Sequence, residues 1–301
     1  MSDSPDKPPS SAASYTPINE QVEVLVPAQT AEDVRARHQS NRAAWNEAAV
    51  RYSEGLARTI ADLQAGKSNL HLVERQNLLE LGPLADWCKV AVHVQCASGE
   101  DTLSLWLEGA HNVIGIDIAD DHIANAQASS DALGAPATWY CCDILDTPAE
   151  LDGCADLVYT GRGAVNWLQD LTGWGQVIAR LLKPGGVMHI FDGHPAMWLF
   201  EPDAEQLEVA RGTNYFGHSE RNQGWGAQYI GDLGKPADQL TYKYEHLWTL
   251  ADVFTALSQA GLVVDLFQEY PEDYWNSMPN LNEHEQRLIP RTFAMRAHKP
   301  L

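Results

Sequence analysis

The stretch Lys89-Val90-Ala91-Val92-His93-Val94-Gln95-Cys96-Ala97-Ser98-Gly99-Glu100-Asp101 changes character midway. Its first half is a valine-rich run, the pattern of a strand buried on both faces in a parallel sheet. Its second half is small and polar. Ala97, Ser98 and Gly99 let the backbone approach a ligand closely, and Gly99 also tolerates positive φ. A helical pattern follows from Asp101. Open α/β sheets bind ligands at such strand-loop-helix turns, at the carboxyl ends of the strands where the strand order reverses.

Outward from this turn the hydrophobic period alternates. Residues 101–108 suit a helix, 112–117 a strand, 120–133 a helix and 137–142 a strand. A fourth strand follows at 155–160. A helix at 171–182 is closed by Lys183-Pro184-Gly185-Gly186 and leads into a strand at 187–192. Such alternation means right-handed βαβ units. Residues 200–240 break the rhythm, being rich in Gly, Asn, Gln and aromatics, as a lid or binding insertion would be. Regularity returns with strand 240–248, helix 250–260, strand 262–269 and strand 291–297. Upstream, 31–82 reads as helices with Gly55 and Gly66 as interior breaks. The expected fold is α/β: a Rossmann-like doubly wound, mostly parallel seven-stranded sheet. The expected organisation is a disordered or extended tail over 1–30, an N-terminal helical cap over 31–85, and the Rossmann-like domain over 86–301 with its insertion at 200–240.

Composition narrows the partners. The chain has 301 residues, 45% of them hydrophobic, enough for one large domain with additions. Its formal charge of −21 repels phosphate backbones and anionic membranes, so a neutral or cationic small molecule is the expected substrate and nucleic acid is not. Five cysteines, Cys88, Cys96, Cys141, Cys142 and Cys154, form no C-x-x-C pair, which argues against a disulfide framework or structural zinc and for a reducing, cytoplasmic setting. The Ser- and Pro-rich N-terminus lacks the pattern of a signal peptide, and no apolar run is long enough to span a membrane. A homo-oligomer is compatible with all of this.

Asp117 closes the second strand as Ile114-Gly115-Ile116-Asp117, the place from which a carboxylate accepts hydrogen bonds from ribose hydroxyls. Taken singly, Gly99 also fits a tight structural turn and Asp117 a helix N-cap. Together, in strand-loop-helix-strand order, they indicate a nucleoside cofactor. The full G-x-G-x-x-G fingerprint is missing, which counts against NAD, whose pyrophosphate needs close access to the helix N-terminus.

With these features the sequence resembles the class I S-adenosylmethionine-dependent methyltransferases. The likeness is to a bacterial subgroup whose first motif reads His-x-Gln-Cys-x-x-Gly-x-Asp-Thr-Leu-Ser, matched by His93, Gln95, Cys96, Gly99, Asp101, Thr102, Leu103 and Ser104. Val158-Tyr159-Thr160, Trp167-Leu168, Asp170-Leu171, Leu182-Lys183-Pro184-Gly185-Gly186 and Asp192-Gly193-His194-Pro195 extend the match. Gln95 and Ala97 stand where the broader family commonly has glycine, and His93 where it has an acid. The resemblance implies S-adenosyl-L-methionine as cofactor and S-adenosyl-L-homocysteine as product. It implies that Gln95, Cys96, Ala97 and Gly99 face the methionine part, Asp117 and Ile118 the ribose, Asp143 and Ile144 the adenine, and Thr160 and Gly161 the sulfonium.

Methyl transfer needs a base only when the nucleophile has a proton to lose. His194, just past the fifth strand, is the candidate base, with a turn-shaping role as the alternative. Substrate candidates are Arg162, for a carboxylate, and the aromatics Tyr215, His218, Tyr229 and Tyr244, with Tyr242 and His246 nearby. Packing roles remain open for each, and Trp45 and Tyr52 would either close over the cofactor or belong to the core. No metal ligands stand out. An NAD-dependent oxidoreductase and a non-catalytic S-adenosylmethionine binder are the competing readings.

Overall fold

A computed structural model describes residues 22–226 and 229–301. Residues 1–21 of the expected tail lie outside the described residues, and beyond them a short strand β1 forms at Glu23–Val24. Thr30 then starts helix α1, Ala31–Gln64, with a capping box: its hydroxyl accepts from Asp33 N–H at 3.1 Å and the Asp33 carboxylate accepts from Thr30 N–H at 3.1 Å. This helix runs through Gly55 without a break, and Gly66, with φ of +75°, follows its end. Helices α2, Leu72–Leu79, and α3, Leu84–Trp87, complete the upstream helical segment.

The alternating segment follows its hydrophobic periods closely. It comprises β2, Val90–Val94; α4, Glu100–Leu107; β3, Asn112–Asp117; α5, Asp120–Leu133; β4, Ala137–Cys141; β5, Ala155–Gly161; α6, Leu171–Leu181; and β6, Leu182–Gly193. After it come β7, Ser219–Asn222; β8, Lys243–His246; α7, Leu250–Gln259; β9, Val263–Tyr270; α8, Glu283–Gln286; and β10, Thr292–His298. Strand β6 starts directly from α6, so the expected Lys183-Pro184-Gly185-Gly186 turn lies within it. The cause is pairing: Gly185 N–H donates to Lys299 O at 2.8 Å.

The main sheet has seven strands in the order β4-β3-β2-β5-β6-β10-β9. Strands β4 to β6 run parallel, and β10 is antiparallel to both its neighbours. The chain proceeds outward from β2 to β4, then crosses back to β5, so the strand order reverses beside β2. Both faces are covered. Trp174, Ile178 and Leu181 of α6 and Val253 and Leu257 of α7 pack with Val92, Val158 and Ile190 on one side. Leu78, Leu84 and Leu105 pack with Ala91, Val113 and Leu157 on the other. The strand read at 240–248 shortens to β8 and pairs elsewhere, in a second sheet ordered β1-β7-β8. Asn41 of α1 ties that sheet down, its Nδ2 donating to Tyr244 O at 2.8 Å and its Oδ1 accepting from Tyr244 N–H at 2.6 Å.

Gly115 of β3 pairs in register with Trp139 of β4, whose indole lies across it. A Cβ at Gly115 would stand 2.2 Å from Trp139 Cζ3 and 2.9 Å from Cys96 Sγ. Gly115→Ala is therefore expected to destabilise the fold by about 1–3 kcal/mol through overpacking, read by urea unfolding; an unchanged midpoint would contradict this packing.

Candidate active site

The loop between β2 and α4 is built from left-handed backbone. Gln95, Ala97 and Gly99 have φ of 61°, 44° and 77°. Only glycine adopts this region without strain, so two non-glycine residues here need external support. Asp117 supplies it from the end of β3. Its Oδ2 accepts from Ala97 N–H at 2.8 Å and its Oδ1 from Ala119 N–H at 2.9 Å. Gly99 caps α4, and a Cβ there would lie 2.5 Å from Trp139 Cη2. Its conformation and this contact account for glycine at position 99.

Beside the loop, at the strand-order reversal, lies a cavity of about 210 Å³. Of the sequence candidates, Gln95, Cys96, Ala97, Asp117, Ile118, Asp143, Ile144, Gly161 and Arg162 line it. Gly99 and Thr160 do not; Thr160 is fully buried, its hydroxyl without a hydrogen-bond partner among the described residues. Trp45 and Tyr52 line the cavity too, together with His38 and Asn41 from the same helix. Their spacing of three, four and seven residues places all four on one face of α1. That periodicity was the available signal for His38 and Asn41, which sequence reasoning missed. Asn69, His122, Trp167 and Trp275 also stand in the wall and were missed, since each comes from a different segment of the chain.

At one end of the cavity, Asp143 meets α1. Gln169 N–H donates to His38 Nε2 at 3.0 Å, so the His38 proton sits on Nδ1, which donates to Asp143 Oδ2 at 2.8 Å. Leu145 N–H donates to Oδ1 at 3.0 Å, and Arg35 lies 3.3 Å away. Burial pushes the Asp143 pKa up, but the His38 hydrogen bond and the other donors outweigh it and hold the carboxyl below its ordinary value.

Arg162 lies at the end of β5, with φ of 57°. Its Nη2 donates to Asn69 O at 3.0 Å and to Asp101. Its Nε stands 3.9 Å from Glu74, a fully buried acid that also accepts from Tyr159 Oη. Burial raises the Glu74 pKa, and the guanidinium opposes that rise. Nearby, Asp192 organises the following turn by accepting from Gly163, Ala164 and Val165 N–H at 2.6, 3.1 and 3.1 Å. Three indoles, Trp45, Trp167 and Trp225, cluster with centroids 4.8–5.8 Å apart.

The remaining candidates lie off this cavity. His194 accepts from Ala196 N–H at Nδ1, 3.0 Å, and its Nε2 donates to Glu269 at 2.7 Å. Both ring nitrogens are thus committed to holding the turn after β6, and burial lowers the His194 pKa against the raising effect of Glu269. Tyr215 packs on Phe216, centroids 5.4 Å apart, and His218 bonds Glu220 at 2.7 Å. Tyr244 is held by Asn41 through its backbone and lies under Arg37, 5.6 Å from its ring. Tyr242 faces Arg221 at 4.7 Å, and His246 packs on Trp248 at 4.1 Å. Tyr229 is exposed and packs on Trp275 of the cavity wall, 6.0 Å between centroids. Among the described residues no helix is long and apolar enough to cross a membrane, and no group of His, Cys, Asp or Glu has the arrangement of a metal site.

A doubly wound sheet with a cavity at its strand-order reversal is the arrangement in which open α/β sheets bind ligands. Residues 91–186 match the family described as a methyltransferase domain. The matched segment runs from β2 into β6 and so takes in the loop after β2, Asp117 and Asp143. Among solved structures, the chain is similar to a Listeria monocytogenes protein assigned as an S-adenosylmethionine-dependent methyltransferase, at 15% identity and a TM-score of 0.54, covering 77% of this chain and 100% of that one. It is also similar to geranyl diphosphate C-methyltransferase from Streptomyces coelicolor A3(2), solved with Mg2+, geranyl-S-thiolodiphosphate and S-adenosyl-L-homocysteine, at 14% identity and a TM-score of 0.50, covering 75% of each chain. A Galdieria sulphuraria protein assigned as a sarcosine dimethylglycine methyltransferase matches at 16% identity and a TM-score of 0.51, covering 75% of this chain and 83% of that one. No curated protein sequence matches the chain.

Because the folded Asp143 pKa is depressed, its contribution to stability is present above the unfolded value and is lost as pH falls through the folded one. Asp143→Asn is expected to cost about 1–3 kcal/mol at pH 7, with the difference shrinking toward pH ~3. Urea unfolding across that range checks it, and a pH-independent difference would contradict an ionised, paired carboxylate.

Proposed function

We propose that this chain is an S-adenosylmethionine-dependent methyltransferase acting on a small-molecule acceptor, with the cofactor laid across the ends of β2, β3 and β4. The observation that carries the reading is that Asp117 and Asp143, at the ends of neighbouring strands, border one cavity walled by α1. Asp117 would accept from the ribose hydroxyls through its unused lone pairs, with Ile118 beside it. Asp143 would accept from the adenine amino group, with Ile144 against the ring. Gln95, Cys96, Ala97 and Gly161 would border the remainder of the cofactor. The first motif, His93 to Ser104, supports membership of the His-x-Gln-Cys-x-x-Gly subgroup.

The residues present fit such a cofactor. Gln95 Oε1 and Arg162 Nε are buried polar atoms in the cavity wall without hydrogen-bond partners among the described residues, as expected where a polar ligand completes a site. S-adenosylmethionine, when bound, supplies an electrophilic methyl on a sulfonium. The protein's part is to orient and desolvate: Trp45, Tyr52, Trp167 and Trp275 provide apolar walls where an acceptor would approach. A charge of −21 disfavours nucleic acid as acceptor. Two of the structural neighbours bear names of enzymes acting on small molecules. With His194 committed to its turn, no side chain is assigned as a base, which suits an acceptor that reaches the site already deprotonated.

A screen of small acceptors read by S-adenosylhomocysteine release is expected to find turnover, and cofactor binding with no turnover on any acceptor would favour a non-catalytic binder. Asp117→Ala is expected to weaken S-adenosylhomocysteine binding by about 1.5–3 kcal/mol; unchanged affinity in calorimetry would remove Asp117 from the site.

A further inference from the structure

Four acids line the cavity, and three of them are bonded. Asp117 accepts from two backbone N–H groups, Asp143 from His38 and Leu145, and Asp101 from Arg162 and from Asn69 Nδ2, the last at 2.7 Å. Glu100 is the exception: among the described residues no hydrogen bond and no ion pair within 4 Å reaches its carboxylate. Arg162 acts on it only through space, and that guanidinium already faces Asp101 and Glu74. Burial raises the Glu100 pKa, Arg162 opposes the rise, and Asp62 of α1 adds to it, so a cation at this carboxylate would be stabilised. Strand order sets Asp143, Asp117, the loop after β2 and Arg162 in sequence along one edge of the sheet. Glu100, the first residue of α4, therefore stands toward the end of the cavity away from Asp143.

Aromatic rings line the same cavity. Tyr52 of α1 lies near enough to Glu100 for the acid to raise its pKa, after burial and Asp117, and its ring packs edge-on against His122 at 4.7 Å. Trp45 meets His122 from the same helix at 5.5 Å, and Trp275, 37% exposed, is the one described lining residue from beyond residue 168. His122 is itself 1% exposed; its Nδ1 bonds Ser98 Oγ at 2.8 Å, and its Nε2 is buried without a hydrogen-bond partner among the described residues. Tyr52 thus neighbours both an unpaired carboxylate and an unmet ring nitrogen, as expected of a wall that a polar ligand completes.

We propose that Glu100 anchors a cationic group of the methyl acceptor, a protonated amine carried on an apolar or aromatic body. The carboxylate takes the ammonium in a charge-assisted pair, while the rings of Tyr52, Trp45 and Trp275 offer π-faces to the cation and apolar surface to the body. A nitrogen held as ammonium has no lone pair to receive a methyl group. The cation is therefore a handle, and the methyl passes to a separate nucleophilic atom of the same molecule: that atom's lone pair forms the new bond to carbon, and the carbon–sulfur pair stays with sulfur as the neutral thioether. Glu100 is then a specificity residue for the acceptor, apart from the cofactor contacts at Asp117 and Asp143.

The inference rests on methyl transfer from S-adenosylmethionine to a small molecule, and titration calorimetry of the full chain separates the two. The chain is titrated first with S-adenosylhomocysteine and then, saturated with it, with benzylamine, benzyl alcohol and benzoate at neutral pH: a cation, a neutral molecule and an anion on one aromatic body. Wild-type protein is expected to bind the benzylammonium ion at least about tenfold tighter than either of the others. Glu100→Gln is expected to bring benzylammonium within about twofold of benzyl alcohol while leaving S-adenosylhomocysteine within about twofold of its wild-type affinity. The wild-type comparison needs no variant, so the test stands even if Glu100→Gln does not fold. No binding of benzylammonium, equal wild-type affinities for cation and alcohol, or a preference that survives Glu100→Gln would overturn the anchor alone. So would a loss of S-adenosylhomocysteine affinity in the variant as large as the loss of benzylammonium, since the acid would then serve the cofactor. No binding of S-adenosylhomocysteine to the wild type would overturn the methyltransferase reading itself.

Discussion

The carboxylate of Asp117 is the point on which the site depends. It reaches from the end of β3 to the N–H groups of Ala97 and Ala119, and so holds the loop after β2 against the neighbouring strand. These bonds help to offset the left-handed conformations of Gln95 and Ala97, which cost on the order of 1–3 kcal/mol each. Cys96 N–H adds a second tie, donating to Ile116 O at 3.0 Å. The sheet and the loop are thereby one rigid unit. Trp139 completes it by filling the space that glycine leaves at positions 99 and 115.

The electrostatics of the cavity follow from the same arrangement. Four acids around a small volume favour a cationic ligand. Potential competing nucleophiles in the wall are silenced by burial: it raises the thiol pKa of Cys96 well above the ordinary value and that of Cys142 to about 11, with nearby acids adding to the effect. Tyr52 is pushed to about 12 by burial, then by Asp117 and Glu100. All three groups are therefore protonated at neutral pH, the form in which a thiol is a poor nucleophile. His93, brought down to about 3 by burial, is likewise neutral and bonded to Thr102 at 2.8 Å.

What the sequence disclosed was local or topological. The valine run at 90–94 and the alternation after it are short-range patterns, and they mark the main sheet because buried parallel strands need uninterrupted apolar sequence. Asp117, Asp143 and Gly161 could be placed because strand ends in such a sheet converge on one edge. The second sheet was not legible. Its β1 has two residues and β7 is short and polar, so neither marks itself, and β8 could be read as a strand but not assigned to a sheet without its partner β7; β1 in turn pairs with β7 across nearly two hundred residues of chain, which leaves no local trace. The ion pairs of Arg162 were equally hidden, because Glu74 and Asp101 arrive from separate helices. His194 was read from its position after β6, but its partner Glu269 on β9 engages it in the turn and away from the cavity.

The central claim is that the cavity beside Asp117 takes an adenosyl sulfonium cofactor and not a dinucleotide. Calorimetric titration of the full chain with S-adenosylmethionine and, separately, with NAD tests it most directly. The structure predicts saturable one-to-one binding of S-adenosylmethionine and none of NAD, whereas tight NAD binding with no response to S-adenosylmethionine would contradict it.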